Sequence, residues 1–315
     1  MRAPLMHMLI ELVLLVVGFV MLIKGADIFV EGAAGIAAKF GIPQLVIGLT
    51  IVAMGTSAPE AAVSIAAAFK GTADITIGNV VGSNIMNILV ILGVTALIVS
   101  VAVQQSTVRY EIPFVILVSV VLLVMGALDG KIGRMDGAIL WLLFIVYFVY
   151  LFLMAKHGKE EEETKADAPV WKLLLFVVIG AALIVIGADV SVDAASEIAR
   201  VIGLSERFIG LTIVAFGTSL PEFCTSVVAA RKGKADLAIG NIVGSNIFNI
   251  LFVVGTTALI IPVPFNPAFV ADTVVAIGAA VLLWICVIRK KRLTRPGGIF
   301  MLAGYAGYFA YLMMK

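Results

Sequence analysis

The stretch GNVVGSNIMNI, at residues 78–88, returns as GNIVGSNIFNI at residues 240–250. Each copy places polar side chains inside a long apolar segment. A second motif is duplicated in the same way, because GLTIVAMGTSAPE at 48–60 returns as GLTIVAFGTSLPE at 210–222. The two motifs repeat with one common offset, from position 78 to 240 and from 48 to 210. The chain therefore consists of two homologous halves.

The composition indicates that the chain lies in a membrane. Hydrophobic residues make up 62% of it and charged residues 13%, and the mean hydropathy is +1.15. Soluble domains contain about 25% charged residues. A membrane-spanning helix needs about 20 mainly apolar residues. Hydropathy predicts ten such spans, at 8–29, 43–69, 74–99, 110–128, 134–155, 171–191, 205–231, 236–262, 268–289 and 297–314.

Each half contains five predicted spans. We place the first half at 1–155, a cytosolic linker at 156–170 and the second half at 171–315. Because five is an odd number, the second half enters the membrane from the opposite side. Inverted repeats of this kind are typical of secondary transporters. The predicted fold class is an all-α integral membrane protein of ten helices, arranged as two inverted five-helix repeats.

The basic residues predict the orientation. With the N-terminus outside, 14 lysines and arginines lie in inside loops and 7 lie outside. Cytoplasmic loops carry the excess of basic residues in membrane proteins. We therefore expect a multi-pass protein of the plasma (inner) membrane with both termini outside.

The second span of each half is predicted to be broken. Residues 43–69 would form a helix about 40 Å long, more than a hydrocarbon core of about 30 Å requires. Pro59 has no N–H group, so the carbonyl of Gly55 loses its helical partner. The segment 217–222 repeats this arrangement. Broken backbone at membrane depth is tolerated only where it is buried in protein or lines a cavity.

The broken segments carry Glu60 and Glu222. A carboxylate at the centre of a span costs about 2.5–3.5 kcal/mol on insertion scales and indicates function. The surrounding ligands are all oxygens, from hydroxyls, amides and freed carbonyls, and neither the histidines nor the two cysteines cluster at this depth. Zinc and copper prefer nitrogen and sulfur, whereas Ca²⁺ takes oxygen ligands with flexible geometry. The sequence therefore predicts a site for a hard cation.

The motif at 78–88 offers two kinds of polar side chain. Ser83 and Asn87 are four residues apart and share one helix face, which we interpret as facing the cation. We interpret Asn84 as a helix–helix contact. Gly78 and Gly82 have the G-x-x-x-G spacing that permits close helix packing. The equivalent residues of the second copy are interpreted in the same way.

These paired motifs resemble the two α-repeats of the sodium/calcium exchanger family, within the wider cation/Ca²⁺ antiporters. The resemblance covers essentially the whole chain. It implies that spans 2, 3, 7 and 8 form the ion-binding core and that spans 1 and 6 slide against it. It implies a transporter, not an enzyme, that exchanges Na⁺ for Ca²⁺ by alternating access without a cofactor. The linker at 156–170 is too short for a regulatory domain, as in a compact prokaryotic-type member.

The resemblance also implies the site. The glutamates would hold both ions in turn, and the threonine carbonyls would bind Ca²⁺. The serines, with the alanine carbonyls, would form flanking Na⁺ sites, and the asparagines would close the middle. The implied metal ligands are Glu60, Glu222, Thr56, Thr218, Ser57, Ser219, Ser83, Ser245, Asn87, Asn249, Ala53 and Ala215. The K⁺-dependent branch carries Asp where this chain has Asn249, which argues against K⁺ co-transport.

Two alternatives stay open at this point. A buried carboxylate can bind a proton, since burial disfavours its charged form, so H⁺ could replace Na⁺ as the coupling ion. The paired serines favour Na⁺. A Ca²⁺ channel is the other alternative, although inverted halves favour alternating access. The expected partners are Ca²⁺, Na⁺ and the lipid bilayer, without nucleic acid, and we expect a functional monomer.

Overall fold

The computed structural model describes residues 2–73, 75–157, 168–203 and 215–314. This part of the chain is almost wholly helical. The helices are α1 (Arg2–Phe40), α2 (Gln44–Thr56), α3 (Ala58–Phe69), α4 (Ile75–Ile98), α5 (Thr107–Asp129), α6 (Arg134–His157), α7 (Val170–Val201), α8 (Ala215–Gly217), α9 (Leu220–Arg231), α10 (Ala235–Ile260), α11 (Ala268–Ile288) and α12 (Arg295–Met313).

Seven of the described helices are long and apolar enough to cross a membrane, and the bent pair α2–α3 would make eight. The predicted span 205–231 lies partly outside the described residues, which show only its later part as α8 and α9. The predicted span 297–314 is present as α12, which is not among the seven. The all-helical membrane fold is thereby confirmed, and the count of ten spans stays a prediction.

The predicted break in the second span is confirmed. Helices α2 and α3 meet at an angle of 50°. Ser57, between them, has φ −84° and ψ 8°, outside the α-helical values, and Pro59 follows in the first turn of α3. Ser219 has nearly the same backbone, with φ −90° and ψ 2°, before α9. Proline near the start of a helix is tolerated because its missing N–H would have no partner there.

The helices next to the breaks contain π-helical turns that the sequence analysis did not predict. One turn covers Asn87–Leu92 in α4, and its equivalent covers Asn249–Val254 in α10. A third covers Gly48–Val52 in α2. Turns of this type are frequent at functional sites. Each of the first two begins at an asparagine that the resemblance assigns to the ion site.

Burial separates a core from an outer layer. In the apolar window of α10, 94% of the residues are buried, and in that of α4, 72%. The windows of α1, α6 and α7 are only 17%, 22% and 28% buried. Helices α1 and α7 pack along each other. In α10, Gly240 and Gly244 contact the backbone of α2 closely, where a Cβ on Gly244 would lie 2.8 Å from Leu49.

In the described residues, four short strands join the loops in pairs. The strands are β1 (Val101–Ala102), β2 (Lys131–Ile132), β3 (Val263–Pro264) and β4 (Arg292–Leu293). Strand β1 pairs with β4 and β2 pairs with β3, both antiparallel. Strands β1 and β2 lie at opposite ends of α5, which has 23 residues and is therefore about 35 Å long.

Candidate ion-binding site

The two glutamates lie at equivalent places in the two halves. Glu60 is in the first turn of α3 and Glu222 in the first turn of α9, directly after the backbone breaks. Each is only 1% exposed. The positive end of a helix dipole favours a negative charge at this position. The two carboxylates are close enough to interact electrostatically.

Each carboxylate is contacted by the broken segment of the other half. The hydroxyl of Ser57 donates a hydrogen bond of 2.8 Å to Glu222 Oε1. Thr56 and Ser245 also lie beside Glu222. The neighbours of Glu60 follow the same pattern across the halves.

Glu60 has Thr218 and Ser83 beside it. Thr218 is the equivalent of Thr56, and Ser83 is the equivalent of Ser245, because each pair is separated by the common offset of the repeat. The structure therefore brings both glutamates together with hydroxyl groups from the four predicted core elements. The arrangement surrounds two carboxyl groups with neutral oxygen atoms.

Several buried oxygen atoms at this place have no hydrogen-bond partner within the described residues. They are Oε2 of Glu60, Oε2 of Glu222, Oδ1 of Asn87, Oδ1 of Asn249 and Oγ of Ser219. A buried polar atom without a partner costs about 1–3 kcal/mol, so a cluster of them in one place requires an explanation. A hard cation explains it, because such ions bind carboxylate, amide and hydroxyl oxygens.

Four asparagines cross-link α4 and α10. Asn84 Nδ2 donates to the carbonyl of Asn246 at 3.1 Å, and Asn246 Nδ2 donates to the carbonyl of Asn84 at 3.2 Å. Asn87 Nδ2 donates to Asn246 Oδ1 at 3.0 Å, and Asn249 Nδ2 donates to Asn84 Oδ1 at 3.2 Å. These bonds fix the amides of Asn87 and Asn249 so that their Oδ1 atoms stay unpaired.

Two further asparagines position the glutamates, and the sequence analysis did not identify them. Asn79 Nδ2 donates to the carbonyl of Glu60 at 3.2 Å and to Ser64 Oγ at 3.0 Å. Asn241 makes the equivalent bonds, to the carbonyl of Glu222 at 3.4 Å and to Ser226 Oγ at 2.9 Å. Both belong to the duplicated Gly-Asn motif, and this duplication was the signal in the sequence that could have identified them.

The alanine carbonyls are less completely described. Ala53 O accepts from Ser245 Oγ at 3.4 Å, which joins it to the site. Ala215 begins α8, and the described contacts include none for its carbonyl. Within the described residues, no group of three histidine, cysteine, aspartate or glutamate side chains could hold a metal ion. A cation at this place would therefore depend on hydroxyl, amide and carbonyl oxygens besides the two glutamates.

A third buried carboxylate lies elsewhere. Glu111, in α5, is 1% exposed, accepts a hydrogen bond from Tyr150 of α6 and leaves Oε2 without a described partner. It lines a pocket of about 360 Å³ together with Tyr147 and Tyr150. It was not predicted from the sequence, although a charged residue in an apolar span was a signal. Among the described residues, its hydrogen-bond partner and the lining of its pocket do not include the residues of the ion site.

A cavity lies between α3 and α7, next to the ion site. It has a volume of about 280 Å³, and its wall includes Pro59, Val63, Asp189, Asp193 and Thr218. Thr218 lies between this cavity and Glu60, because it lines the cavity and is also beside that carboxylate. Its two aspartates attract cations.

Comparisons with known proteins agree with this geometry. The model of the family described as sodium/calcium exchanger protein matches residues 10–153 and 172–314. The chain is 39% identical over 98% of its length to a protein of Alkalimonas amylolytica provisionally described as the antiporter CaxA, which it covers completely. It is 37% identical to the inner membrane protein YrbG of Escherichia coli, with 97% of each chain covered.

A solved structure has the same fold. The sodium-calcium exchanger NCX_Mj, soaked with zero Na⁺ and Ca²⁺, superposes with a TM-score of 0.84 at 32% sequence identity. The match covers 96% of this chain and 99% of that one.

Proposed function

Because the chain belongs to the sodium/calcium exchanger protein family, we propose that it exchanges Na⁺ for Ca²⁺ by alternating access at a central site formed by both halves. The chain is a multi-pass integral membrane protein. Its relatives include membrane exchangers.

The observation that carries the proposal is the set of unpaired buried oxygens around Glu60 and Glu222. One Ca²⁺ neutralises two carboxylates, and two Na⁺ do the same. Neither ion binds well while the other occupies the glutamates, because both need the same oxygen atoms. This competition makes the protein an exchanger. If a third Na⁺ were bound as well, the loaded core would carry a net positive charge.

The proposed ligands are those implied by the resemblance. The two glutamates bind both ions, and the threonines contribute their carbonyls to Ca²⁺. The serines and the alanine carbonyls surround the flanking Na⁺ positions, and the asparagine amides face the middle. The full proposed set is Glu60, Glu222, Thr56, Thr218, Ser57, Ser219, Ser83, Ser245, Asn87, Asn249, Ala53 and Ala215.

The strand pairs support the inverted arrangement. Strand β1 precedes α5, and its equivalent β3 precedes α11. Strand β3 pairs with β2, which follows α5, so it lies at the opposite end of α5 from β1. Equivalent loops at opposite ends of one spanning helix are what two inverted halves require. We infer ten spans, with halves at 1–155 and 171–315 and a cytosolic linker at 156–170.

The proposed location is the inner membrane, with both termini outside. The positive-inside rule supports this orientation, and the relative YrbG is described as an inner membrane protein. We propose a functional monomer, because both halves of the site come from one chain.

Flux into proteoliposomes tests the function. Purified protein is reconstituted, and ⁴⁵Ca²⁺ uptake is measured with Na⁺ inside and none outside, at clamped pH and membrane potential. We expect uptake that follows the Na⁺ gradient and stops when the ionophore monensin removes it. Parallel vesicles receive a pH gradient without Na⁺.

Each alternative has its own outcome. Uptake that follows the pH gradient and ignores Na⁺ would replace the proposal with H⁺/Ca²⁺ exchange. Uptake that needs no counter-ion on the other side of the membrane would indicate a channel.

A further inference from the structure

The outer helices and the segments that follow the broken spans carry two equivalent sets of one aspartate and one lysine. Asp27 on α1 and Asp189 on α7 occupy the same place in the two halves, each at the end of a Gly-Ala-Asp triplet. Lys70 follows α3, and its equivalent Lys232 follows α9. Both lysines precede a left-handed glycine with a φ of 76°.

Only one of the two combinations forms an ion pair. Lys232 Nζ lies 2.5 Å from Asp27 Oδ1 and donates a second hydrogen bond of 3.0 Å to the Asp27 carbonyl. In the described part of the chain, neither Lys70 nor Asp189 takes part in an ion pair, and both side chains are exposed. The equivalent residues of the two halves are therefore in different states.

The packing of the helices that carry these residues also differs between the two halves. Helix α1 packs along α9, whereas the equivalent helices α7 and α3 make only marginal contact. The space between α7 and α3 is the cavity of about 280 Å³ that leads to Thr218, and Asp189 lines it. One access cleft is thus closed beside a formed ion pair, and the other is open beside an unformed one.

Side-chain burial shows the asymmetry independently. Val63, in the open cleft, is 43% exposed, whereas the equivalent Thr225 on α9 is fully buried. Val192 lines the open cavity and is half-buried, whereas the equivalent Val30 on α1 is 1% exposed. The closed cleft therefore shows the packing that the open cleft would acquire on closing.

We propose that Asp27–Lys232 and Asp189–Lys70 are alternating latches of the two access clefts. The first pair holds the α1–α9 cleft closed in the state seen here. In the opposite state the first half takes the arrangement of the second, so the second pair forms and closes the α7–α3 cleft while the first pair breaks. This inference rests on the alternating access proposed above. With both termini outside, the open cleft faces the exterior.

The exposure of the pair suits a latch. An exposed ion pair contributes little, so each latch shifts the balance of two states by only about two- to five-fold. A much stronger pair would trap the carrier in one state, whereas an exchanger must visit both. The matched pairs at the two clefts keep the two closed states close in free energy.

Thiol labelling of the closed cleft tests the latches in the full-length protein. Cys224 and Cys286 are replaced by alanine, and Thr225→Cys supplies the only thiol. We expect Lys232→Gln to raise the labelling rate by a membrane-impermeant maleimide by about two- to five-fold. Lys70→Gln should lower the rate, because it destabilises the state in which this cleft is open. Arg231→Gln, which removes a neighbouring charge outside the pair, should leave the rate unchanged.

A charge exchange separates the ion pair from other effects of these residues. Asp27→Asn alone should match Lys232→Gln, and Asp27→Lys combined with Lys232→Asp should restore the original rate. Monodisperse elution of each variant in size-exclusion chromatography confirms that it is folded. Failure of the exchanged pair to restore the rate, or a rise in Lys70→Gln, would overturn the proposal.

Labelling with and without Na⁺ or Ca²⁺ distinguishes the latch from the function. Labelling that responds to Na⁺ or Ca²⁺ but is the same in all ion-pair variants would refute the latch alone. Labelling that ignores both ions in every protein, including the one without latch substitutions, would refute alternating access at this cleft.

Discussion

Asn84 and Asn246 exchange hydrogen bonds across the two halves, each amide Nδ2 donating to the other residue's backbone carbonyl, at 3.1 and 3.2 Å. Reciprocal contact between equivalent residues is what a two-fold relationship produces. The pair does more than join two helices, because the side-chain oxygens of both residues also hold the amides of Asn87 and Asn249. Their role is to position the ion ligands.

Loss of either asparagine should weaken both the fold and ion binding. Asn84→Ala leaves Asn249 Nδ2 without a partner, at about 1–3 kcal/mol, and removes one of the bonds to the Asn246 carbonyl, so we expect a lower melting temperature. Loss of a residue that orients metal ligands typically costs about 10- to 100-fold in affinity. Isothermal calorimetry with Ca²⁺ and thermal unfolding measure the two effects. Thr257→Val, which removes a buried hydroxyl without a described partner from α10, is the matched control and should affect neither strongly.

Neutralising one glutamate should abolish Ca²⁺ transport without unfolding the protein. Glu60→Gln and Glu222→Gln preserve side-chain shape but remove half of the charge that one Ca²⁺ needs. We expect uptake in proteoliposomes to fall to background while size-exclusion profiles stay unchanged. Glu111→Gln is the control, because Glu111 is equally buried but is bound to Tyr150 away from the site. Near-normal exchange by either site variant would show that its carboxylate is not a shared ligand.

The sequence predicted the helix breaks because proline chemistry is local. Pro59 and Pro221 act through their own missing N–H groups, and no distant contact is needed to infer the result. The pairing of the halves was also predictable, since the common offset between the motif copies identifies equivalent positions. Neither depends on the details of packing.

Other features depended on tertiary contacts and were not predictable. The π turn that begins at Asn87 is not indicated by any residue preference in the sequence. The bond from Asn79 to the Glu60 carbonyl joins two helices whose distance the sequence does not specify. Asp27 forms an ion pair and Asp189 does not, and the repeat could not predict this difference, because equivalent sequences lead to the same expectation for both. The difference arises because the two halves adopt different conformations in this state.

The membrane orientation should place the end of α6 in the cytosol. In a protein without other cysteines, Lys156→Cys should react with an impermeant maleimide only after the membrane is permeabilised. Lys131→Cys, at the other end of α6 in strand β2, is the matched control and should react in intact cells. Both lysines are exposed, so access to the reagent is decided by the side of the membrane. The reverse pattern would invert the proposed topology.

The residue at position 249 should decide whether K⁺ takes part in exchange. Asn249 Nδ2 donates to Asn84 Oδ1 at 3.2 Å, and its own Oδ1 is unpaired. In Asn249→Asp a charged carboxylate faces the Asn84 oxygen without a hydrogen to donate, and it adds a third negative charge beside Glu60 and Glu222. A protonated Asp can donate its O–H in place of the amide N–H. We therefore expect the ratio of variant to wild-type exchange to rise as the pH falls.

The extra charge in Asn249→Asp can also be neutralised by a monovalent cation, so added K⁺ should stimulate the variant at neutral pH. Wild-type exchange should be independent of K⁺ when the membrane potential is clamped. Asn87→Asp, at the equivalent place in the first half, should behave like Asn249→Asp because the two amides are held by equivalent bonds. Initial rates of ⁴⁵Ca²⁺ uptake for the three proteins, with and without K⁺ and across pH, decide the matter. If the wild type itself required K⁺, the neutral amide at position 249 could not be what excludes that ion.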